Sequence, residues 1–290
     1  VELFKMILVD FNQVMISNLM MQIGNHTNIP IEEGLFRHMV INSLRSYKQK
    51  FSDEYGEIVI ACDDKNYWRK QVFPYYKANR KKNREASEIN WTQVFEIFNK
   101  IKSEIKDNFP YRVIQVESAE ADDIIASLVK EYGTDLNGPV KILILSGDKD
   151  FVQLQTYGNV KQYDPVRKKW INHDNPQRYL LEHILKGDAG DGVPNVLSDD
   201  DTFVSDKRQR PLTQKKINKI YNDGAVILDS VTDRNFMRNK HMVDLSMVPE
   251  SIKNEVINKY DTEAGKDRSK LFNYFITHKL KLMMENVGDF

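Results

Sequence analysis

Cysteine is all but missing from this chain: Cys62 is the single one in 290 residues. An intrachain disulfide framework is thereby excluded, and so is a Cys-rich zinc site; an intracellular setting is expected. No apolar run approaches the roughly 18 residues of a membrane helix, so no membrane association is expected. The opening VELFKMILVDF enters an apolar run at once, and no secretory leader is expected. Net charge is absent too, since 42 Lys and Arg balance 42 Asp and Glu. That total argues neither for nor against nucleic acid, so the distribution of charge has to decide. The six histidines are scattered without a metal-ligand spacing. What remains is a chain 41% hydrophobic and 29% charged, long enough for a sizeable core and for two domains.

Four short apolar runs read as buried strands: Met6 to Val9, Ile58 to Cys62, Val113 to Val116 and Val140 to Leu145. Helical patterns lie between them, over Glu33 to Lys50, Trp91 to Lys106 and Ala119 to Tyr132. Such alternation predicts an α/β fold, a mostly parallel sheet flanked by helices. Ligands in such folds bind beyond the carboxyl ends of the strands. Three of the four runs lead into Asp at that edge. After about Gln162 the strand signals fade and helices dominate. A boundary near residue 180 is expected, and the polar SDDDTFVSDKRQRPL of Ser198 to Leu212 reads as a loop or insertion.

Carboxylates are the densest chemical signal. Asp10 and Asp63 each close an apolar run. Glu120, Asp122 and Asp123 lie in SAEADDIIASLV, with Ser118 placed to cap the helix. Asp148 and Asp150 follow the fourth strand and would point the same way if the chain stayed extended. Asp188 and Asp191 lie in LKGDAGDGVPN. So many like charges need neutralising, and an oxygen-only ligand set suits magnesium or manganese. Two such ions about 4 Å apart can activate water and stabilise the leaving oxygen of a phosphodiester. An Asp after a strand also caps helices, and Asp123 is the strongest candidate for a purely structural role.

Basic residues are concentrated. KNYWRKQVFPYYKANRKKNR, Lys65 to Arg84, holds eight Lys or Arg and no acid. It interleaves them with Tyr67, Trp68, Phe73, Tyr75 and Tyr76, a composition suited to phosphates and stackable bases. Lys77 and Arg80, three apart, could clamp one phosphate; Arg69, Lys70 and Lys81 are further nucleic-acid contacts expected here. The bland alternative is a solvated helix with buried rings. In the later half, Lys215 and Lys216 continue a second basic cluster, and Gly190 and Gly192 sit in a glycine-rich turn able to aim backbone N–H groups at a phosphate.

Taken together, ILVDFNQ, ACDD, YYKANR, EADDIIA, SGDKDFVQL and KGDAGDGVPN resemble, in this order, the motifs of the structure-specific 5′ nucleases, the flap endonuclease family, and most nearly its T4-type bacteriophage ribonuclease H branch. The resemblance spans nearly the whole chain. It implies a PIN-like sheet over residues 1–180 with a basic arch at about 65–95, and a helical duplex-binding domain over 181–290 containing a helix-turn-helix. It implies that Asp10, Asp63, Asp122 and Asp148 surround a first magnesium, with Glu120 assisting directly or through water. Asp150, Asp188 and Asp191 would surround a second, and manganese would substitute. Lys77 and Arg80 would meet the scissile phosphate. The implied activity is 5′ to 3′ exonuclease and 5′-flap endonuclease action on RNA–DNA hybrid and forked or nicked duplex, removing RNA primers during lagging-strand replication. The implied partner is a single-stranded DNA-binding protein, and the implied setting is a monomer in the bacterial host cytoplasm if the chain is of phage origin. Asp64 after Asp63 and the 198–212 segment depart from the family pattern.

Two rivals follow from the same residues. A PIN-like RNA endonuclease would share the sheet and acidic pocket but needs neither the long basic segment nor the helical second half. A non-catalytic DNA-binding relative would have no use for Asp10, Asp63, Asp122 and Asp148 together.

Overall fold

A computed structural model describes residues 4–24, 30–133, 140–205, 207–223 and 230–290. Asp206, within the predicted insertion, lies outside them. Strand β1 (Phe4–Asp10) enters helix α1 (Phe11–Ile23), then α2 (Glu33–Tyr55) and β2 (Glu57–Cys62). Short helices α3 (Arg69–Val72) and α4 (Ala78–Glu85) precede α5 (Trp91–Asn108), β3 (Arg112–Gln115), α6 (Ala121–Tyr132) and β4 (Val140–Leu145). A 3₁₀ turn over Lys149–Thr156 leads to β5 (Val160–Asp164) and β6 (Lys169–Ile171). Helices α7 (Pro176–Lys186), α8 (Gln214–Asp223), α9 (Ser230–Val243), α10 (Glu250–Thr262), α11 (Leu271–Thr277) and α12 (Lys281–Glu285) follow.

The strands form one mixed sheet in the order β3-β2-β1-β4-β5-β6, parallel except for the β5–β6 pair. Alternate residues serve opposite faces, as a pleated strand requires. Ile7, Val9, Ile58 and Ile60 join one core with residues of α1, α2 and α5. Met6, Leu8, Val59 and Ala61 join the other with residues of α6 and α10. The last helices do not build a core of their own. Leu271, Tyr274, Phe275, Leu280, Met283 and Phe290 complete the first.

The chain leaves β1 toward β2 on one side, and β4 lies on the other. The β1–β4 seam is thus the topological switch point, where the carboxyl ends of an open sheet leave a crevice. The register sets Asp10 beside Ala61, and Val9 beside Leu145. Asp63 and Asp148 therefore leave the sheet just beyond Asp10.

Several sequence expectations need correction. Ser118 does not cap α6. Glu120 does, in a reciprocal capping box with Asp123, while Ser118 sits before it in the left-handed region at φ 62°. The chain after β4 does not stay extended. Asp148 caps the 3₁₀ turn through Asp150 N, 2.9 Å away, so Asp148 and Asp150 diverge. The 198–212 segment needs no such correction: its described residues form a loop, as expected, pinned where Arg210 N donates to Ser198 Oγ at 2.8 Å and Asn195 Nδ2 donates to Arg210 O at 2.8 Å.

Candidate active site

A cleft of about 950 Å³ opens at the switch point, and Asp10, Asp63, Glu120, Asp122 and Asp148 line it. Each comes from a different structural reason. Asp10 ends β1 and caps α1, accepting from Gln13 N at 3.1 Å and from Ser146 Oγ at 2.9 Å. Asp63 follows β2, accepting from Ala121 N at 2.7 Å and from the Asn12 amide. Asp122 stands in the first turn of α6, and no donor reaches it among the described residues. Gln13, Asn12 and Ser146 were not singled out in the sequence, because neutral side chains give no signal until the fold sets them against a carboxylate.

The electrostatics record crowding. Burial, aided by Asp148, pushes the Asp10 carboxyl up to about 6. Burial, with Glu120 and Asp10 nearby, pushes Asp63 up to about 7. Burial together with Asp148 and Asp10 drives Asp122 well above the usual carboxylate range. Asp64 behaves differently. Although burial would raise it, hydrogen bonds from Ser118 N and the Gln115 amide hold it low. It ties down the loop before α3 and stays ionised at the edge of the cleft, its charge offset by those donors.

Glu120 is only 2% exposed and fully engaged. Arg69 Nη1 donates to it at 2.8 Å, Tyr76 OH at 3.0 Å, and Lys77 Nζ closes on its other oxygen. Against burial, Lys77 and Arg69 hold its pKa down. Lys77 caps α4 in the left-handed region and also faces Asp191 Oδ2 at 3.6 Å. Arg80 pairs with Asp191 from the next turn. The start of α4 is stitched to the 188–192 turn by Lys77 N donating to Asp191 O at 2.7 Å. Gly192, at φ 74°, lets that turn approach; a Cβ there would lie 3.1 Å from Tyr75 O.

Arg69 requires a correction. It is 2% exposed, donates Nε to Met242 O at 2.9 Å and binds Glu120 and Asp123, so no face is left for nucleic acid. Its segment has the composition of a phosphate binder, but tertiary partners claim this one cation. Lys70, Lys81, Lys215 and Lys216 are exposed and lie outside the cleft lining. Gly190 and Gly192 lie in the turn after α7, where Asp188 Oδ1 accepts from Gly190 N at 2.8 Å and from Asp191 N at 3.2 Å.

A second cluster joins Asp150, Asp188 and a residue the sequence did not expose, His183. One ligand atom of each lies within 4.8 Å of the others. His183 Nδ1 is 3.3 Å from Asp150 Oδ1 and Nε2 is 3.5 Å from Asp188 Oδ2. Although burial opposes it, Asp188 and Asp150 hold the imidazole above its ordinary pKa. Burial and Asp148 push Asp150 up to about 7. The one legible trace was a histidine in the last turn of α7, just ahead of Asp188.

Both clusters suit a divalent cation. The first offers only carboxylate oxygens, held by burial and mutual repulsion in a state that favours protons or metal. A pH dependence follows. The folded protein keeps protons on Asp10, Asp63 and Asp150 up to about pH 6–7, whereas the unfolded chain releases them near 4. Metal-free stability therefore falls as pH rises through that window. Magnesium replaces those protons, so its rise in Tm is expected to be larger at pH 8 than at pH 5. Equal rises in thermal melts at the two pH values would contradict this assignment.

Acidic side chains pooled at the switch point of an α/β sheet, beside the basic segment of α3 and α4, define a metal-dependent nuclease. A family model described as "5'-3' exonuclease, N-terminal resolvase-like domain" matches residues 5–181, and one described as "T4 RNase H, C terminal" matches 175–290. The chain belongs to this 5′–3′ exonuclease family, in its T4 RNase H branch. It is 32% identical to the Ribonuclease H of Enterobacteria phage T4, over 98% of this chain and 95% of that one. It is 30% identical to a 5′-3′ exonuclease of Buchnera aphidicola, over 48% of this chain and 47% of that one. The fold is shared with the phage T5 D15 protein crystallised with metal ions, at TM-score 0.66, 16% identity, 90% of this chain and 100% of that one. It is also shared with the T5 D15 flap endonuclease in a pseudo-enzyme-product complex with DNA and metal ions, at TM-score 0.62, 17% identity and the same coverage. No described helix is long and apolar enough to cross a membrane.

Proposed function

We propose that this nuclease is a magnesium-dependent 5′ to 3′ exonuclease and 5′-flap endonuclease that cuts RNA–DNA hybrid and forked or nicked duplex, removing RNA primers during lagging-strand replication. The observation that carries the reading is the meeting of Asp10, Asp63, Asp122 and Asp148, from four separate elements, in one cleft that Lys77 and Arg80 also line. The names of the phage T4 relative and of the T5 complex support the substrate class.

Asp10, Asp63, Asp122 and Asp148 would hold the first magnesium, and Asp150, Asp188 and Asp191 the second, with His183 beside it. When bound, two such ions activate a water and stabilise the leaving oxygen. The chain's own groups do the rest. Ser146 and Gln13 N fix the Asp10 carboxylate, and Asn12 and Ala121 N fix that of Asp63. Lys77 and Arg80 now face Glu120 and Asp191; a scissile phosphate would take over part of that pairing and receive their charge as it develops.

We read the sheet as PIN-like, with residues 1–180 carrying the chemistry and the arch at about 65–95. Residues 181–290 would grip duplex, with the turn after α7 as a helix-turn-helix and Lys215 and Lys216 on phosphates. The family-model limits at 175 and 181 support this division of labour, although the last helices share the sheet's core. The protein would act as a monomer, beside a single-stranded DNA-binding protein. Replacing Lys215 and Lys216 with Ala should lower the salt slope of duplex binding by about 1–2, measured by titration at several salt concentrations.

The deciding experiment titrates magnesium over a 5′-labelled nicked RNA–DNA hybrid beside a 5′-flap DNA. Short labelled products that appear only with metal support the reading. Tight binding without products would make the chain a silent DNA-binding relative. Cutting of single-stranded RNA alone would favour a PIN-like RNA endonuclease.

A further inference from the structure

Helix α5 carries two apolar stripes where packing needs one. Val94, Ile97, Ile101 and Ile105 are buried against the sheet. A second stripe, Trp91, Phe95 and Phe98, recurs at i, i+4 and i+7, the spacing of a single helix face, and Lys102 extends that face at i+11 with a cation. All four line the same cleft as Asp10, Asp63 and Asp122. Phe98 earns part of its place by stacking on Phe36 at 5.3 Å. Phe95 does not. It is 42% exposed, and its ring contacts are Trp91 at 5.8 Å, Phe98 at 6.3 Å and the Arg84 guanidinium at 5.7 Å. Three contiguous rings, Trp91, Phe95 and Phe98, facing one cleft make an apolar patch of the kind that marks a ligand groove.

The surroundings say what the ligand is. The cleft runs without interruption from the carboxylates to this wall, and Arg80, Arg84 and Lys102 stand around it. Aromatic faces among cations suit a base with its phosphate, not an apolar peptide or a lipid. We infer that the α5 stripe is a stacking site, centred on Phe95, for the unpaired nucleotide next to the scissile phosphate. This rests on the nuclease reading and adds to it a place for the nucleobase. Stacking on a ring face is indifferent to base identity, so the site would select unpaired over paired nucleotides and not one sequence over another.

The test compares binding of a 5′-flap duplex with that of the same duplex lacking the flap, in EDTA so that nothing is cut. Phe95→Ala should bind the flapped duplex about ten-fold more weakly and the flapless one within about two-fold of wild type. Phe95→Tyr should restore the preference. If Phe95→Ala misfolds, wild-type protein with an abasic first flap nucleotide supplies the same comparison and should show the same loss. An unchanged flap preference in both the variant and the abasic substrate overturns the stacking site. If magnesium-dependent cutting persists in that case, the nuclease reading survives it. If wild type binds neither duplex, both fall.

Discussion

Asp122→Asn is expected to cut the rate of phosphodiester cleavage by about 10²–10⁴-fold, the rate equivalent of losing several kcal/mol of metal-borne charge stabilisation. Duplex affinity should hold or tighten, because the substitution removes one negative charge from a cleft that must admit phosphates. The same change should make the metal-free protein more stable. Asp122 lies among Asp10, Asp148 and Glu120, and burial already disfavours its charged form. An isosteric amide relieves that repulsion. The rise in Tm on adding magnesium should shrink accordingly. Lower activity with higher metal-free stability is the pattern of a functional site that trades stability for chemistry. Wild-type turnover in Asp122→Asn would remove it from the ligand set.

Arg69→Ala should be the most damaging change outside the carboxylates. Its guanidinium neutralises Glu120 and Asp123, donates to Met242 O and stacks on Trp68 at 4.7 Å. Without it, Asp123, with no exposed surface, and Glu120 lose a shared counter-charge. Breaking a buried pair in this way typically costs about 3–5 kcal/mol. For a chain of this size that is a fall in Tm of roughly 10 °C. Adding Asp123→Asn should recover part of it by removing one stranded charge. Denaturant melts decide the matter. A loss under about 1 kcal/mol for Arg69→Ala would mean the network is not cooperative.

What was legible in the sequence was what burial on both faces of a sheet imposes. The runs at Met6, Ile58, Val113 and Val140 are apolar at nearly every position, with Gln115 and Lys141 the exceptions, because a parallel strand is covered twice, and the acids stand out at the point where cover ends. Helix α1 was hidden because its apolar residues surround it: Val14, Met15 and Leu19 are buried, yet Ile16, Met20 and Met21 are exposed. Strand β5 was hidden because buried Gln162 spoils the run; its amide donates to Ser146 O at 3.0 Å and to Asp148 O at 2.7 Å. Arg69 and His183 mark the wider limit. A cation looks the same in sequence whether its partner is a phosphate or, as for Arg69, a carboxylate 51 residues away. Only the fold decides.

The bond from Arg69 to Met242 O spans 173 positions. A ribosome makes α3 long before it makes the carbonyl that anchors it. Gln153 waits in the same way, for Val243 O at 2.9 Å and Leu245 N at 2.8 Å. On a nascent chain the carboxylates of the cleft therefore emerge before the frame that holds their counter-ions in place. Competence to cut would come late in synthesis and all at once, when α9 docks, so a chain stalled before residue 242 is expected to be a poor nuclease even though it contains every acid of the site.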